Sequence, residues 1–164
     1  MEIDRCTKED FDRILTEIAL FWGSDRTLAL HHPLFLYEWG ETAFVIRDRG
    51  KVDAYLFGFT AQSPEGERLA YTHLLAVRHS RRRRGLARRL YAHFVRIAVE
   101  SGCTRLKAIT TADNTASIRC HTALGMEMLG TPNADGVPVV ADYSGPGLDR
   151  VVSSMRLRAS MRLG

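Results

Sequence analysis

The sequence lacks the features that define several large classes of protein. Its 164 residues contain no apolar run near the roughly 20 residues that a membrane-spanning helix needs. Three cysteines, Cys6, Cys103 and Cys120, form no CxxC pair, so neither a disulfide framework nor a zinc site is expected. The first ten residues, MEIDRCTKED, are too charged for a signal peptide. We therefore expect a cytoplasmic protein with no bound metal and no membrane contact.

Positive charge is concentrated in one short segment. The chain has 23 basic and 19 acidic residues, and seven of its arginines lie in residues 78–89 with no acidic residue among them. Without this segment, 16 basic residues would face 19 acidic ones. A nucleic-acid-binding protein more often spreads Lys and Arg over a whole face, whereas one dense spot suits a compact polyanion such as a phosphorylated cofactor. A solvated surface run is the alternative.

Hydrophobic periodicity and turn residues predict the order of the elements. Thr7-Lys8-Glu9-Asp10 matches a capping box that opens a helix, and residues 21–40 should hold one or two short helices interrupted at Pro33. Residues 132–148 show no periodicity and are predicted as a loop that borders the acceptor site. Strands are predicted over 42–47, 52–60, 69–77, 106–111, 126–130 and 149–157, and helices over 86–100 and 115–124. The strand–helix–strand order implies a parallel crossover, hence an α+β fold around a mixed sheet.

The junction between the predicted strand 69–77 and the predicted helix 86–100 has the chemistry of a pyrophosphate site. The first N–H groups of a helix have no intrahelical acceptor, and the helix dipole adds positive potential there. Gly85 and Ala87 keep side-chain bulk away from an approaching phosphate. The arginines of residues 78–85, here called the arginine loop, supply countercharge. Neither GxGxxG nor a P-loop motif is present.

Two motifs in this region resemble those of the Gcn5-related N-acetyltransferase (GNAT) superfamily. Arg82-Arg83-Arg84-Gly85-Leu86-Ala87 is similar to the family's acetyl-CoA signature, Arg/Gln-x-x-Gly-x-Gly/Ala. Asn114-x-x-Ser117-x-x-x-His121-x-x-x-Gly125-Met126 is similar to Asn-x-x-Ala-x-x-x-Tyr-x-x-x-Gly-Phe. The resemblance implies one N-acetyltransferase domain over 1–164, with an acyl-CoA-binding core at about 69–126. It also implies a mixed, mostly antiparallel sheet that is split into a V-shaped cleft and flanked by about four helices.

The resemblance also implies which residues hold acetyl-CoA, the expected co-substrate. Backbone groups of Leu75, Ala76 and Val77 would pair with the pantetheine arm like an added strand. Asn114 would bond the pantetheine region, although a plain helix N-cap is the alternative for this residue. The pyrophosphate would be held by Arg82, Arg83, Arg84, Gly85, Leu86, Ala87 and Arg88.

Two histidines are candidates for the proton transfers that acetylation of an amine requires. His73 lies on the predicted strand 69–77 and matches a histidine position of the arylalkylamine N-acetyltransferases, which makes it a candidate base; a core histidine is the alternative. His121 occupies the place where the family usually has a tyrosine that protonates the leaving thiolate, and it either takes over that role or only fills the space. Cys120 beside it points in another direction on the helix and is expected in the core.

The sequence as a whole predicts an enzyme that moves an acetyl group from acetyl-CoA to a primary amine by direct transfer in a ternary complex. The acceptor is a small amine or a peptide, and a homodimer is left open. One alternative is an acyl-CoA-binding module without catalysis, because the usual tyrosine is missing. The other is a nucleic-acid-binding domain that uses the patch from Arg78 to Arg89.

Overall fold

The structure is a computed structural model that describes residues 2–158, so residue 1 and residues 159–164 of the predicted domain lie outside the described residues. Short 3₁₀ turns cover Leu28–Leu30, Gly40–Thr42 and His79–Arg81. No helix in this range is long and apolar enough to cross a membrane. The α-helices of this range are α1 Lys8–Thr16, α2 Ala19–Trp22, α3 Leu34–Tyr37, α4 Leu86–Glu100 and α5 Thr115–Ala123.

Nine strands occur in residues 2–158: β1 Ile3–Arg5, β2 Ala43–Asp48, β3 Lys51–Gln62, β4 Arg68–Val77, β5 Arg105–Thr110, β6 Glu127–Leu129, β7 Thr131–Pro132, β8 Pro138–Val139 and β9 Val151–Arg156. Seven of them form one mixed, mostly antiparallel sheet in the order β1-β2-β3-β4-β5-β9-β6, and β7 pairs with β8 separately. The predicted α+β fold is confirmed, with five described α-helices where about four were expected.

The chain divides into two compact units. Within the described range, the first unit comprises residues 2–59 and 72–97, and the second comprises residues 60–71 and 98–158. The first unit therefore contains the arginine loop and most of β4 and α4. The second contains β5, α5 and the strands that follow them.

The first unit is built around an aromatic core that α1 covers. The predicted capping box begins this helix: Asp10 N donates to Thr7 Oγ1 at 3.2 Å, and Thr7 N donates to the Asp10 carboxylate at 2.9 Å. One turn later, the buried Phe11 ring stacks on Phe57 of β3 with 5.7 Å between the ring centroids. The cap and the buried aromatic pair together fix where α1 begins and which face it turns to the sheet.

Two arginines tie the arginine loop to the hairpin formed by β2 and β3. The Arg78 guanidinium donates to Val52 O through Nε at 3.1 Å and Nη2 at 2.8 Å. Arg81 bridges two carboxylates, Asp48 at 2.8 Å and the buried Asp53 at 3.2 Å. Because each of these contacts joins the loop to the hairpin, they fix the start of the loop.

The second unit is organised around β9, which lies between β5 and β6. β5 runs antiparallel to it from the pair Arg105–Arg156 to the pair Thr110–Val151, and β6 occupies its other edge. Thr104 N donates to Arg68 O at 2.8 Å, so the beginnings of β4 and β5 lie side by side. This arrangement fits the predicted parallel crossover.

Residues 132–148 are more regular than the predicted loop. The two-stranded pair of β7 and β8 encloses a turn in which Asn133 Oδ1 accepts the N–H groups of Asp135 at 3.0 Å and Val137 at 2.9 Å. An isolated bridge then pairs Val140 with Arg150. The loop prediction was wrong for this part because strands of two residues are too short to show an alternating pattern.

Replacing Arg81 by methionine should destabilise the first unit. Asp53 would keep a buried negative charge without its ion-pair partner, which typically costs about 3 kcal/mol or more. We expect urea unfolding to show this loss for Arg81→Met and a partial recovery when Asp53→Asn is added. Arg83→Met, on the same loop but exposed, is the control and should change stability by less than about 0.5 kcal/mol. Equal stability of Arg81→Met and the parent would contradict this role for Arg81.

Candidate active site

The second half of β4 has one buried face and one half-buried face. Thr72, Leu74 and Ala76 alternate with the predicted site residues His73, Leu75 and Val77, and only the first three are buried. Side chains alternate along a strand, so His73, Leu75 and Val77 share the half-buried face. The predicted pantetheine-pairing segment and the predicted base are therefore neighbours on one strand of the first unit.

The His73 ring is held by one hydrogen bond and one stacking contact. Its Nε2 atom lies 3.1 Å from Leu30 O, and the ring stacks on Phe35 with centroids 4.7 Å apart and an interplanar angle of 15°. Because a carbonyl oxygen only accepts, Nε2 carries the proton in the neutral ring and Nδ1 keeps the basic lone pair. Burial lowers the pKa of His73, although the hydrogen bond to Leu30 acts in the opposite direction. His73 is thus neutral and able to accept a proton at pH 7.

Some arginines of the arginine loop and of the start of α4 make structural contacts, and the others are exposed to solvent. Arg82 donates to Val77 O at 3.3 Å and to Phe21 O at 2.9 Å, so it closes the loop onto the end of β4. Arg83, Arg84 and Arg88 are exposed and make no ion pair with any residue between 2 and 158. Their charges are therefore available to an anion.

Gly85 opens the space at the start of α4. Its φ is +74°, a left-handed conformation that favours glycine, and a Cβ atom at this position would have no neighbour within 4 Å. The first hydrogen bond of α4 runs from Arg89 N to Gly85 O at 3.0 Å. The N–H groups of Leu86, Ala87 and Arg88 therefore precede any intrahelical acceptor. Together with the exposed arginines, these N–H groups are able to bind an anion.

Asn114 lies in the second unit as the N-cap of α5. Its Oδ1 accepts the Ser117 N–H at 3.2 Å, which is the capping contact that the sequence left as an alternative to ligand binding. The side-chain amide nitrogen is a separate donor, so capping leaves this group for a ligand. The side chain of Asn114 can therefore cap α5 through its oxygen and bind a ligand through its nitrogen at the same time.

His121 of the second unit is a buried histidine. Its exposed fraction is 7%, and its Nδ1 lies 3.1 Å from Ser153 Oγ on β9. Burial lowers the pKa of His121 to about 4, so its ring is neutral at pH 7. The adjacent Cys120 is half-buried, and burial raises the pKa of its thiol, which does not favour a thiolate nucleophile.

The contacts that surround His73 carry no signal in the sequence. Leu30 contributes a backbone carbonyl, which no side-chain motif can reveal, and His31 bonds Tyr55, a residue 24 positions away.

The described residues contain no group of three or more His, Cys, Asp or Glu side chains that could hold a metal ion.

Comparison with known families identifies the family of this chain. Residues 9–126 match the model of the acetyltransferase (GNAT) family. The chain belongs to this family. No curated protein matches the sequence.

Solved structures of GNAT proteins share the fold at low sequence identity. Naa20 of Chaetomium thermophilum, in complex with a bisubstrate analogue, has a TM-score of 0.75 and 16% identity, covering 97% of this chain and 88% of that one. The NatB acetyltransferase complex bound to CoA and MES has a TM-score of 0.72 and 16% identity, and the match covers 96% of this chain and 100% of that one. The ribosomal-protein-S18-alanine N-acetyltransferase from Escherichia coli has a TM-score of 0.64 and 19% identity, and the match covers 98% of this chain and 96% of that one.

The buried His121 should make the stability of this GNAT protein depend on pH. The unfolded chain protonates this histidine near pH 6.5, whereas the folded protein resists protonation down to about pH 4. The free energy of unfolding should therefore fall as the pH is lowered from 6.5 to 4, by up to about 3 kcal/mol from this group. Urea unfolding at several pH values should show a smaller fall for His121→Phe than for the parent.

His32→Gln, which removes an exposed histidine, is the control and should keep the steep dependence of the parent. If His121→Phe keeps the same slope as the parent, His121 is protonated as easily in the folded protein as in the unfolded chain.

Proposed function

We propose that this protein transfers the acetyl group of acetyl-CoA to a primary amine, directly within a ternary complex. One observation carries the proposal: the exposed arginines and the open start of α4 directly follow the strand on which His73 lies. One continuous segment of the first unit thus offers an anion-binding group and a neutral base. The CoA and the bisubstrate analogue bound to the neighbouring structures support acetyl-CoA as the donor.

Acetyl-CoA would be held by its phosphates and by its pantetheine arm. The pyrophosphate would accept hydrogen bonds from the free N–H groups of Leu86, Ala87 and Arg88 and ion pairs from the exposed arginines. The half-buried end of β4, from Leu75 to Val77, would pair its backbone with the pantetheine amides. The amide nitrogen of Asn114 is a further donor for the arm.

The reaction requires two protons to leave the ammonium nitrogen and one proton to reach the thiolate. His73 Nδ1 would take a proton from the acceptor ammonium, directly or through water, and the freed nitrogen lone pair would attack the thioester carbonyl. Collapse of the tetrahedral intermediate breaks the C–S bond, the acetylated nitrogen loses its second proton, and the CoA thiolate takes up a proton. His121, neutral before and after the step, would relay that second proton to the thiolate by giving up one ring proton as it takes up another, or it only fills the space of the usual tyrosine.

The acceptor is an amine of a small molecule or of a peptide. Of the aromatic residues in 21–40, Phe21 and Phe35 are buried in the core, whereas Tyr37 and Trp39 are exposed and available to an acceptor. Nucleic acid is a weaker candidate, because Arg78 and Arg81 are already held in ion pairs within the first unit.

Acetyl-CoA binding should fail when a negative charge is placed at the start of α4. A glutamate at position 85 would repel the pyrophosphate and occupy the space that Gly85 leaves open. We expect titration calorimetry to show acetyl-CoA affinity reduced about 10-fold or more for Gly85→Glu, and parent affinity that weakens with added salt.

Gly50→Glu is a matched control for the Gly85 substitution. Gly50 is exposed, has a φ of +75°, and a Cβ atom added there would also have no neighbour within 4 Å. The control therefore carries the same backbone cost of about 1–2 kcal/mol and the same change of charge. Equal acetyl-CoA affinity for Gly85→Glu and Gly50→Glu would show that the start of α4 does not hold the phosphates.

Turnover should depend on the basic nitrogen of His73. His73→Gln keeps an N–H donor for Leu30 O but has no basic nitrogen, so kcat should fall about 100-fold while acetyl-CoA affinity stays near that of the parent. Because burial lowers the pKa of His73, activity of the parent should persist below pH 6.5 and fall as the pH drops through that lowered value. An assay of CoA thiol release with a panel of amines measures both the kcat of His73→Gln and the pH dependence of the parent.

The same assay separates two roles of His121. If His121 donates a proton, His121→Phe should slow turnover and His121→Tyr should match or exceed the parent. Parent-like turnover of His121→Phe would show that this residue only packs, and parent-like turnover of His73→Gln would remove the proposed base.

A further inference from the structure

His31 is the one buried side chain in residues 25–34, a segment that the structure describes completely. Its exposed fraction is 5%, whereas Leu28 and Leu30 expose 44% and 48% of their surface. Apolar packing therefore contributes little to holding the 3₁₀ turn Leu28–Leu30. The position of this turn depends on the contacts of the His31 ring.

The partners of the two His31 ring nitrogens determine which nitrogen donates and which accepts a hydrogen bond. Nδ1 lies 2.8 Å from Thr27 O, and because a carbonyl only accepts, Nδ1 carries the proton. Nε2 lies 2.7 Å from Tyr55 Oη and therefore accepts from the hydroxyl group. The Tyr55 oxygen in turn accepts the Trp22 Nε1–H at 2.7 Å. Every polar atom in this series has a partner.

The series remains in this state because its titratable members are buried. Burial lowers the pKa of His31, which keeps the ring neutral, and raises the pKa of Tyr55, which keeps the hydroxyl proton in place. Tyr55 is fully buried on β3, and its ring lies edge-on to Phe21 at 5.2 Å. The His31 ring is thus bonded to a rigid part of the core.

The anchored turn leads directly to His73. Thr27 O accepts from His31 Nδ1 and also from Leu30 N, at 3.0 Å. The Leu30 carbonyl shares its peptide group with the His31 N–H, which donates to Leu28 O at 3.0 Å, and this carbonyl accepts the Nε2–H of His73. A shift of His31 away from Tyr55 would carry this carbonyl with it.

We propose that His31 is a positioning residue for the transfer reaction, acting on His73 through the carbonyl of Leu30. The inference rests on the proposed function, in which His73 Nδ1 takes the proton from the amine. His31 holds the carbonyl where it orients the His73 ring and keeps the proton on Nε2, so that the lone pair of Nδ1 is directed to the acceptor side. Tyr55 is its partner in the core, and neither residue needs to touch the substrate.

The NMR signal of the His73 Nε2 proton tests this proposal without measuring activity. In the parent protein, the hydrogen bond to Leu30 O should protect this proton and give a resolved, slowly exchanging signal. His31→Phe fills the volume of the ring without its nitrogen atoms, and Tyr55→Phe removes only the hydroxyl group that His31 uses. Both variants should lose the protected signal.

The variants that lose the NMR signal should also have a lower turnover number. For His31→Phe and Tyr55→Phe we expect kcat about 10-fold lower, with the KM for acetyl-CoA within about 2-fold of the parent, because a displaced base slows chemistry without changing the phosphate site. His31→Gln offers an oxygen that accepts the Tyr55 hydroxyl proton and should recover both the signal and most of kcat. His32→Gln, an exposed neighbour, is the matched control and should behave as the parent.

Two results would overturn the proposal. One is a parent protein in which the His73 Nε2 proton is not protected, a result that requires no variant to fold. The other is a folded His31→Phe or Tyr55→Phe variant that keeps the protected signal. Parent-like turnover of His73→Gln would instead overturn the proposed role of His73, and it would leave the dependence of the NMR signal on His31 intact.

Discussion

The buried carboxylate of Asp53 is the constraint on which the arginine loop depends. A buried charge needs a partner, and the Arg81 guanidinium places a countercharge 3.2 Å from the Asp53 carboxylate while also pairing with Asp48. Arg78, bonded to Val52 O, adds a second attachment to the same hairpin. These two arginines and Arg82, which closes the loop, are committed to structural contacts, whereas Arg83, Arg84 and Arg88 are exposed to solvent around the start of α4. One dense run of like charges thus contains arginines that make structural contacts and arginines that are available for the proposed anion site.

The chemistry proposed for His73 likewise depends on a group that is not a side chain. A backbone carbonyl, that of Leu30, determines which nitrogen of the ring is basic. Backbone carbonyls of exposed turns are usually bonded to water, and this one is directed to His73 because His31 reaches into the core beside it. The base and the residue that orients it therefore come from sequence positions 42 apart, on a strand and on a surface turn.

Elements with a repeating pattern were predictable from the sequence, and those without one were not. The helix predicted at 86–100 coincides with α4, and the capping box at Thr7 is present, because both depend on neighbours within four residues. β1 has three residues and β7 and β8 have two each, too few for any periodicity to be visible. The loop and the helix start of the proposed anion site are contiguous, so their neighbourhood could be predicted from the sequence, whereas anion binding itself stays a prediction. The bond between His31 and Tyr55 could not, because it joins distant segments through side chains that carry no motif.

The two candidate histidines show how environment separates residues of one type. Both rings are neutral at pH 7, but His121 is buried, and desolvation lowers its pKa to about 4. His73 lies on a half-buried face, and its hydrogen bond to Leu30 partly offsets the effect of burial. A general base must take up a proton near neutral pH and release it again, which favours the histidine whose charged form is less strongly penalised. A neutral imidazole can still relay a proton when it takes one up as it gives one up, so the same burial that disfavours His121 as a base leaves a relay role open to it.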